Sequence, residues 1–215
     1  MEAVATPSAR SARGEKNGPL GLRDLIREDA QAAFERDPSA ESVSDITRFS
    51  VGFRIVRAYR RQHWLYEHGH RTLALWLAMR TRVRYGADIH PAAQIGRRFT
   101  IDHGIGVVIG GTAIIGDDCL IYQGATLGMT GKHGGKRHPT LGSGVMVGAG
   151  SILLGAITVG DGVRVGAGSV VVDDVPANTT VVGNPARVVR TRECPLFEDF
   201  VCVTDDFGKS WVLEK

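Results

Sequence analysis

Between Ile89 and Val189 the sequence repeats a six-residue pattern, in which a branched aliphatic residue is usually followed by a small one. The repeat runs through Ile95-Gly96, Ile101-Asp102, Ile109-Gly110, Ile115-Gly116, Ile121-Tyr122, Leu127-Gly128, Leu141-Gly142, Val147-Gly148, Leu153-Leu154, Val159-Gly160, Val165-Gly166 and Val171-Val172. A hexapeptide period is typical of a parallel β-helix, whose coils bury their inner face only by stacking on one another. We therefore predict a mainly β fold built on such a helix.

The fifth hexad position carries small or apolar residues, which we expect inside the coils together with the aliphatic residues. These residues are Ala113, Cys119, Ala125, Val145, Ser151, Ile157, Val163 and Ser169. Because free cysteine is often buried, Cys119 is interpreted as a core residue and not as a nucleophile.

The composition narrows the function classes. The chain has 215 residues and a net charge of +3, which suits an anionic small ligand but is not the strong basic signature of a nucleic-acid binder. Cys119, Cys194 and Cys202 show no disulfide-framework spacing, so we expect a reducing cytoplasm. The longest apolar run, Leu73 to Met79, is too short to span a membrane.

The chain divides into four predicted parts. Residues 1–18 contain almost no large apolar side chains and are expected to form a disordered tail. A helical region follows over 19–86, then the β-helix over 87–189, then a tail over 190–215 whose two short apolar runs predict a hairpin. We expect that hairpin to pack on the β-helix or on a neighbouring subunit.

Helical periodicity and stop signals predict three helices in the second part, over about 21–36, 47–68 and 71–84. Seven arginines lie on the last two: Arg54, Arg57, Arg60, Arg61, Arg80, Arg82 and Arg84. They admit a nucleic-acid or acidic-lipid surface, but we favour a solvated helical face with some interface ion pairs, because no groove-reading motif accompanies them.

Two interruptions of the repeat are the candidates for function. Ile101 and Ile109 are eight residues apart, and Leu127 and Leu141 are fourteen apart, so two and eight extra residues leave the coil. The second insertion predicts an extruded loop over 129–139 that is Gly-rich and basic and holds two histidines. Loops on a rigid scaffold commonly carry function, although a merely tolerated insertion is the alternative.

Several motifs at and around these interruptions resemble the serine O-acetyltransferases of bacteria and plants. The matching segments are Asp88-Ile89-His90-Pro91-Ala92-Ala93, Asp102-His103, Gly124-Ala125-Thr126-Leu127-Gly128, Thr130-Gly131-Lys132, Arg137-His138-Pro139, Val147-Gly148-Ala149-Gly150 and Gly183-Asn184-Pro185-Ala186-Arg187, with Asp37-Pro38, Gly52-Phe53, Ala58-Tyr59-Arg60 and His63-Trp64 upstream. The resemblance implies a left-handed β-helix and transfer of acetyl from acetyl-CoA, a co-substrate and not a tightly bound cofactor, to the hydroxyl of L-serine for cysteine synthesis.

The resemblance also implies roles for individual residues. His103 resembles the family's general base and Asp88 the carboxylate that orients its imidazole. Imidazole suits base work at neutral pH, and a carboxylate selects its tautomer. Arg137 and His138 resemble the loop residues that grip the carboxylate and hydroxyl of the amino acid. Asp37 and Asp102 resemble the acids that hold its ammonium.

Acetyl-CoA is expected along the outside of the coils. The residues assigned to it by resemblance are Gly128, Met129, Thr130, Lys132, Ala149, Ala167, Arg164 and Arg187. For the three cations of this set an ordinary solvated surface is an equal alternative.

The chain departs from the family pattern in several places. Met129 replaces a usual Gly, Gly111 a Glu, and Lys136 a frequent Asp. The helical region, which joins two trimers in the hexameric enzymes, is shorter here, so we expect a homotrimer with active sites between subunits. Because the chain ends in Lys215 and not in Ile, a complex with the sulfhydrylase is not expected.

Four alternatives remain open at this point. The first is the same acetyl transfer to another hydroxy amino acid or to a carrier-bound serine. The second is a sugar or drug acetyltransferase, a class that shares the scaffold but typically shows one catalytic histidine. A metal lyase similar to gamma-class carbonic anhydrases is suggested by the five-residue spacing of His133 and His138, but zinc needs a third protein ligand. A non-catalytic scaffold would leave Asp88, His103 and Arg137 without a purpose.

Overall fold

The computed structural model describes residues 21–131, 134–191, 200–204 and 210–214, the last two segments by their backbone alone. The predicted tail over 1–18 lies outside these residues. Four helices open the described chain: α1 (Leu22–Arg36), α2 (Val43–Phe49), α3 (Val51–Glu67) and α4 (Arg71–Tyr85). As predicted, α1 ends before Asp37-Pro38 and α4 ends at Gly86, which adopts a left-handed conformation with φ 67°.

The prediction of one helix over 47–68 is wrong, because Ser50 separates two helices. Its backbone is extended, with ψ 116°, and its side chain accepts a hydrogen bond from the Phe53 backbone N–H. Ser42 caps α2 in the same way through the Asp45 N–H. Serine favours this N-cap position over the helix interior, so the two serines were the available sequence signal.

Short strands then form three parallel sheets around a triangular coil. Sheet A contains β1 (Asp88–Ile89), β4 (Val108–Ile109), β7 (Thr126–Gly128), β10 (Ile152–Leu154) and β13 (Val170–Val171). Sheet B contains β2 (Gln94–Ile95), β5 (Ile114–Ile115), β8 (Thr140–Leu141) and β11 (Thr158–Val159). Sheet C contains β3 (Thr100–Asp102), β6 (Leu120–Tyr122), β9 (Met146–Val147), β12 (Arg164–Val165), β14 (Thr179–Gly183) and the antiparallel β15 (Ala186–Thr191). The chain visits A, B and C in turn, so each circuit is one coil.

The register of the strands locates both interruptions. In the regular part Val108 pairs with Thr126, eighteen residues on. Across the first interruption Asp88 pairs with Val108, twenty residues on. Across the second, Thr126 pairs with Ile152, twenty-six residues on. The two and eight extra residues therefore leave the coil without disturbing the pairing on either side.

The predicted core positions are buried. Every fifth-position residue named above is at most 8% exposed, and the first-position residues from Ile101 to Val171 are at most 5% exposed. Cys119 is fully buried, and burial raises the pKa of its thiol to about 11, which suits a core residue. The coils thus enclose one continuous apolar core.

Helix α3 covers the open end of this core. Ile55, Val56 and Tyr59 join the coil interior in one cluster, and the Tyr59 hydroxyl donates to the Ala93 carbonyl at 2.6 Å. Gly52 makes the close approach of the helix feasible, because a Cβ there would lie 1.9 Å from the Ile101 carbonyl oxygen. A solenoid needs such a cap at its terminal coil.

A buried ion pair fastens α1 and α3 to the same end of the coil. The Arg60 guanidinium donates from Nε and Nη2 to the Asp29 carboxylate at 2.8 and 3.0 Å, and the two residues are 3% and 1% exposed. Arg60 also donates to the Ile95 carbonyl, and Asp29 accepts from the Phe99 N–H. Arg60 therefore forms one of the expected interface ion pairs, and it is buried instead of solvated.

The backbone of β16 (Phe200–Thr204) pairs antiparallel with that of β17 (Ser210–Glu214). Strand pairing thus follows the two apolar runs of the sequence, while the packing of this hairpin stays a prediction. Among the described residues no helix is long and apolar enough to cross a membrane.

Candidate active site

Two edges of the triangular coil carry most of the predicted site residues. We call the corner where sheet C passes into sheet A the first edge, and the corner where sheet A passes into sheet B the second edge. The first interruption lies on the first edge, after β3, and the loop leaves the coil at the second edge, after β7.

A cleft of about 490 Å³ opens at the first edge, between the coil and the start of the helical region. Asp37, Asp102 and His103 all line it, and an adjoining cavity of about 340 Å³ shares the same three residues. His103 Nε2 lies 3.8 Å from Asp102 Oδ1. The structure therefore brings together the predicted base and both acids predicted to hold an ammonium.

The backbone at His103 has the left-handed conformation, with φ 59°, and the following Gly104 has φ 96°. This conformation is uncommon for a residue with a side chain. It turns the imidazole away from the core and leaves the side chain 72% exposed. A residue held in this way, beside a cleft, is a candidate for function.

Asp37 is held as a carboxylate at the mouth of this cleft. Its Oδ1 accepts hydrogen bonds from the backbone N–H and hydroxyl of Ser39 at 2.9 and 2.6 Å. These bonds, with a smaller contribution from His103, lower the pKa of Asp37. An anionic group in this place is suited to a substrate ammonium.

The structure gives Asp88 another partner than the one predicted. Its carboxylate Oδ2 lies 3.1 Å from Nη1 of Arg82 on α4. Both side chains are substantially exposed, so this ion pair is weak and easily exchanged. Orientation of His103 by Asp88 stays a prediction.

The second edge carries the predicted loop residue His138. The residue is 7% exposed, and its ring lies directly over the backbone of Gly110, where a Cβ would come within 2.0 Å of Nε2. On the neighbouring turn, the ring of His90 lies over Gly111, with a distance of 2.9 Å from Nδ1 to a Cβ built there. The two consecutive glycines therefore seat two imidazoles.

Thr112 joins the returning end of the loop to this edge. Its Oγ1 accepts from the backbone N–H groups of Arg137 and His138, both at 3.1 Å, and lies 2.8 Å from His138 Nδ1. Its own N–H donates to the same Nδ1 at 3.3 Å. The Lys136 ammonium donates to the Thr112 carbonyl at 2.7 Å.

Burial and positive neighbours lower the pKa values of the titratable groups at this edge. Burial, Arg137, Lys136 and His90 lower the pKa of His138 in that order. Burial also lowers the pKa of His90, although Asp88 opposes it, and the pKa of Lys136. The two imidazoles are therefore neutral at neutral pH.

Within one chain the two groups of site residues do not meet. His103 precedes β4 and the glycines beneath His138 follow it, so the two imidazoles lie at opposite ends of sheet A. One chain therefore holds two half-sites, one with the exposed imidazole and the acids, and one with the loop.

The residues predicted to contact acetyl-CoA are divided between the same two edges. Ala149 and Ala167 lie on the first edge, where the Gly168 N–H donates to the Ala149 carbonyl at 2.8 Å. Gly128, Met129 and Thr130 lie where the loop leaves the second edge. Arg164 lies on sheet C and Arg187 on β15, both exposed, and Lys132 lies outside the described residues.

Sequence reasoning gave no role to His90 or Thr112. The available sequence signal was the pair Gly110-Gly111 just before Thr112. The repeat needs only one small residue there, so the second glycine indicates that another group packs on the backbone. No cluster of three or more His, Cys, Asp or Glu suited to a metal occurs in the described part of the chain, and His133 lies outside it. The carbonic-anhydrase alternative gains no support there.

Comparison with known proteins gives a consistent result. The sequence model of the family described as bacterial transferase hexapeptide (six repeats) matches residues 138–173. The serine acetyltransferase of Synechococcus elongatus is 51% identical over 161 residues, which cover 75% of this chain and 66% of that protein. The chain spans 54% to 66% of the length of these curated relatives, which include serine acetyltransferase 2 of Arabidopsis thaliana at the lower end.

Solved structures agree with the architecture. The serine acetyltransferase of Neisseria gonorrhoeae superposes with a TM-score of 0.79 at 44% identity, over 81% of this chain and 68% of that one. The Brucella abortus enzyme in complex with coenzyme A gives 0.77 at 41% identity, over 80% and 69%. The Neisseria protein has also been solved in complex with serine. The coil matches the left-handed β-helix of these proteins, which confirms the predicted fold class.

Proposed function

Because this chain belongs to the serine acetyltransferase family of hexapeptide-repeat transferases, we propose that it transfers acetyl from acetyl-CoA to the hydroxyl of L-serine. The products are O-acetyl-L-serine, a precursor for cysteine synthesis, and free coenzyme A. The observation that carries the proposal is the cleft at the first edge, where an exposed imidazole stands beside two carboxylates. Relatives bound to coenzyme A and to serine support the choice of substrates.

In the proposed reaction His103 takes the proton of the serine hydroxyl as its oxygen attacks the thioester carbon. A C–O bond forms, the tetrahedral intermediate collapses, and the C–S bond breaks. The imidazolium then returns its proton to the leaving thiolate, so the enzyme ends as it began. Such general base catalysis contributes about 10²–10⁴ in rate.

The acids of the same cleft would select an amino-acid substrate. Asp37 and Asp102 offer two carboxylates to an ammonium group, and hydrogen bonds from Ser39 keep the first of them ionised. Arg137 offers a guanidinium, whose planar fork matches a carboxylate. A sugar presents neither an ammonium nor a carboxylate, so this set favours an amino acid.

Within a single chain these acids do not meet Arg137 and His138. We therefore propose that a complete site forms between two subunits of a homotrimer. The first edge of one subunit would face the second edge of its neighbour. Acetyl-CoA would then lie along the coils between them, near Ala149, Ala167 and Gly128. A closed ring of identical interfaces gives three equivalent sites.

The experiment is a thiol-release assay with acetyl-CoA and a panel of L-serine, D-serine, L-homoserine and L-threonine. We expect the highest kcat/KM for L-serine. Absence of thiol release with all four would contradict the proposal. A higher kcat/KM for another member of the panel would instead support acetylation of a related hydroxy amino acid. This second candidate is favoured by Met129, which follows β7, is 40% exposed and departs from the family pattern. We place the reaction in the cytoplasm, as the cysteine spacing suggests.

A further inference from the structure

All polar groups of Thr112 are engaged by residues 136–138 of the loop. Its carbonyl accepts from Lys136, its hydroxyl oxygen accepts from two backbone N–H groups, and its N–H donates to the ring of His138. The hydroxyl also lies 2.8 Å from the same ring nitrogen. One residue thus fixes both the path of the loop and the orientation of the imidazole.

Donor and acceptor accounting determines where the proton of His138 lies. A threonine hydroxyl has one hydrogen and two acceptor lone pairs. The N–H groups of Arg137 and His138 occupy the two lone pairs of Thr112, so only its hydrogen remains for His138 Nδ1. The Thr112 N–H points to the same nitrogen, which makes Nδ1 an acceptor for two donors. A neutral imidazole with an unprotonated Nδ1 carries its hydrogen on Nε2.

We propose that Thr112 is a positioning residue that holds His138 as the neutral Nε2–H tautomer, so that His138 acts as a hydrogen-bond donor and never as the base. A proton added to His138 would have to enter at Nδ1, where two donors already point. The inference rests on the proposed function, since it assigns different roles to the two imidazoles of that site. His103 is left as the group that accepts the serine proton, and His138 donates Nε2–H to a substrate oxygen.

The surroundings of His138 act in the same direction. Lys136 and Arg137 from the loop, and His90 from the adjoining turn of the coil, are the titratable and charged groups that influence it. All three disfavour an imidazolium. Gly110 leaves no side chain between the ring and the coil. The neutral ring is therefore favoured, and among the described residues Thr112 is the one that bonds to its Nδ1.

The test reads the tautomer directly in the full-length ¹⁵N-labelled protein, by long-range ¹H–¹⁵N correlation from about pH 5.5 to about pH 8.5, where imidazoles ordinarily titrate. The His138 signals are those missing from His138→Gln. We expect a protonated Nε2 and an unprotonated Nδ1 throughout. A hydrogen on Nδ1, or conversion to imidazolium within this range, would overturn the inference. This spectrum decides even where no Thr112 variant folds.

Variants test the part played by the hydroxyl. Thr112→Val removes it at nearly constant shape, and we expect mixed tautomers and a kcat lower by about tenfold to a hundredfold, as for other small displacements of catalytic groups. Thr112→Ser keeps the hydroxyl and should restore both. The control Thr158→Val, on an exposed position of sheet B, should change neither. A folded Thr112→Val with the wild-type tautomer and kcat would refute the proposal.

The two proposals fail in distinguishable ways. Absence of acetyl transfer by the wild-type protein refutes the proposed function through the thiol-release assay, whereas the tautomer is read without any substrate. A wild-type protein that acetylates serine while His138 carries its hydrogen on Nδ1 refutes only the role of Thr112.

Discussion

Arg60 and Asp29 form a two-fold hydrogen-bonded ion pair beneath the first coil, with almost no solvent exposure. Removing one partner leaves an uncompensated buried charge, which costs about 3–5 kcal/mol. We therefore expect Arg60→Met to lower the free energy of unfolding by about that amount, measured by urea denaturation. The exposed pair of Arg27 and Asp24 is the control, and Arg27→Ala should cost less than about 0.5 kcal/mol. Equal effects of the two variants would show that the buried pair is not a fastening point.

Gly110 is expected to be required for its lack of a side chain. In Gly110→Ala the new methyl would overlap the His138 ring, which cannot remain in place, and we expect kcat to fall by about tenfold to a hundredfold. Gly134→Ala is the matched control, because a Cβ there meets nothing within 4 Å. Steady-state kinetics with acetyl-CoA and L-serine compare the two. Unchanged kcat in Gly110→Ala would mean that His138 is not needed in its present position.

The stability of the protein should fall as the pH drops below the ordinary histidine value of about 6.5. The folded-state pKa values of His90 and His138 are lowered, so the unfolded chain binds more protons in this range and acid favours unfolding. Facing His90 are Asp88, which opposes this shift, and Arg71 and Arg137, which add to it.

Thermal unfolding between about pH 5 and about pH 7.5 measures this dependence, because carboxylates titrate mainly below that window. The double variant His90→Gln, His138→Gln should show a shallower decline of Tm with acid than the wild type. An identical decline in both proteins would assign the acid sensitivity to other groups.

Mixed trimers test whether the two half-sites come from different subunits. On its own, His103→Ala should lower kcat by about 10²–10⁴-fold, as for loss of a general base. His138→Ala should lower kcat by about 10²–10³-fold, as for loss of a hydrogen-bond donor. Co-refolded in equal amounts, the two should regain about a quarter of wild-type activity, since one in four subunit contacts joins two intact half-sites in a randomly assembled ring. In the control, each variant is refolded alone at the same total concentration. No recovery from the mixture would contradict a site shared between two subunits.

The coil was predictable because its signal is repetitive and local. Each hexad from Ile101 to Val171 places an aliphatic residue inside, so the core positions and both interruptions could be derived from spacing alone. The boundary between α2 and α3 was missed because Ser50 ends one helix and caps the next, so the apolar periodicity continues across it. Helical periodicity does not reveal a cap that interrupts it for a single residue.

The site was predictable in its residues more than in its contacts. The resemblance identified His103, Asp37 and Asp102, and the structure gathers them in one cleft. It could not show that Asp88 contacts Arg82, because that ion pair joins a strand to a helix whose orientation the sequence leaves open. Thr112 escaped notice since its importance lies in five hydrogen bonds to a loop more than twenty residues away.

After the second interruption the strands return to the regular register of the coil. Thr140 pairs with Ile114 of the preceding coil and with Thr158 of the following coil. The coils on either side therefore stack as they do elsewhere. We expect substitutions at loop positions away from the Thr112 contacts, such as Gly134, to leave thermal stability unchanged. At those positions the loop can be altered, by selection or by engineering, without a cost to the scaffold.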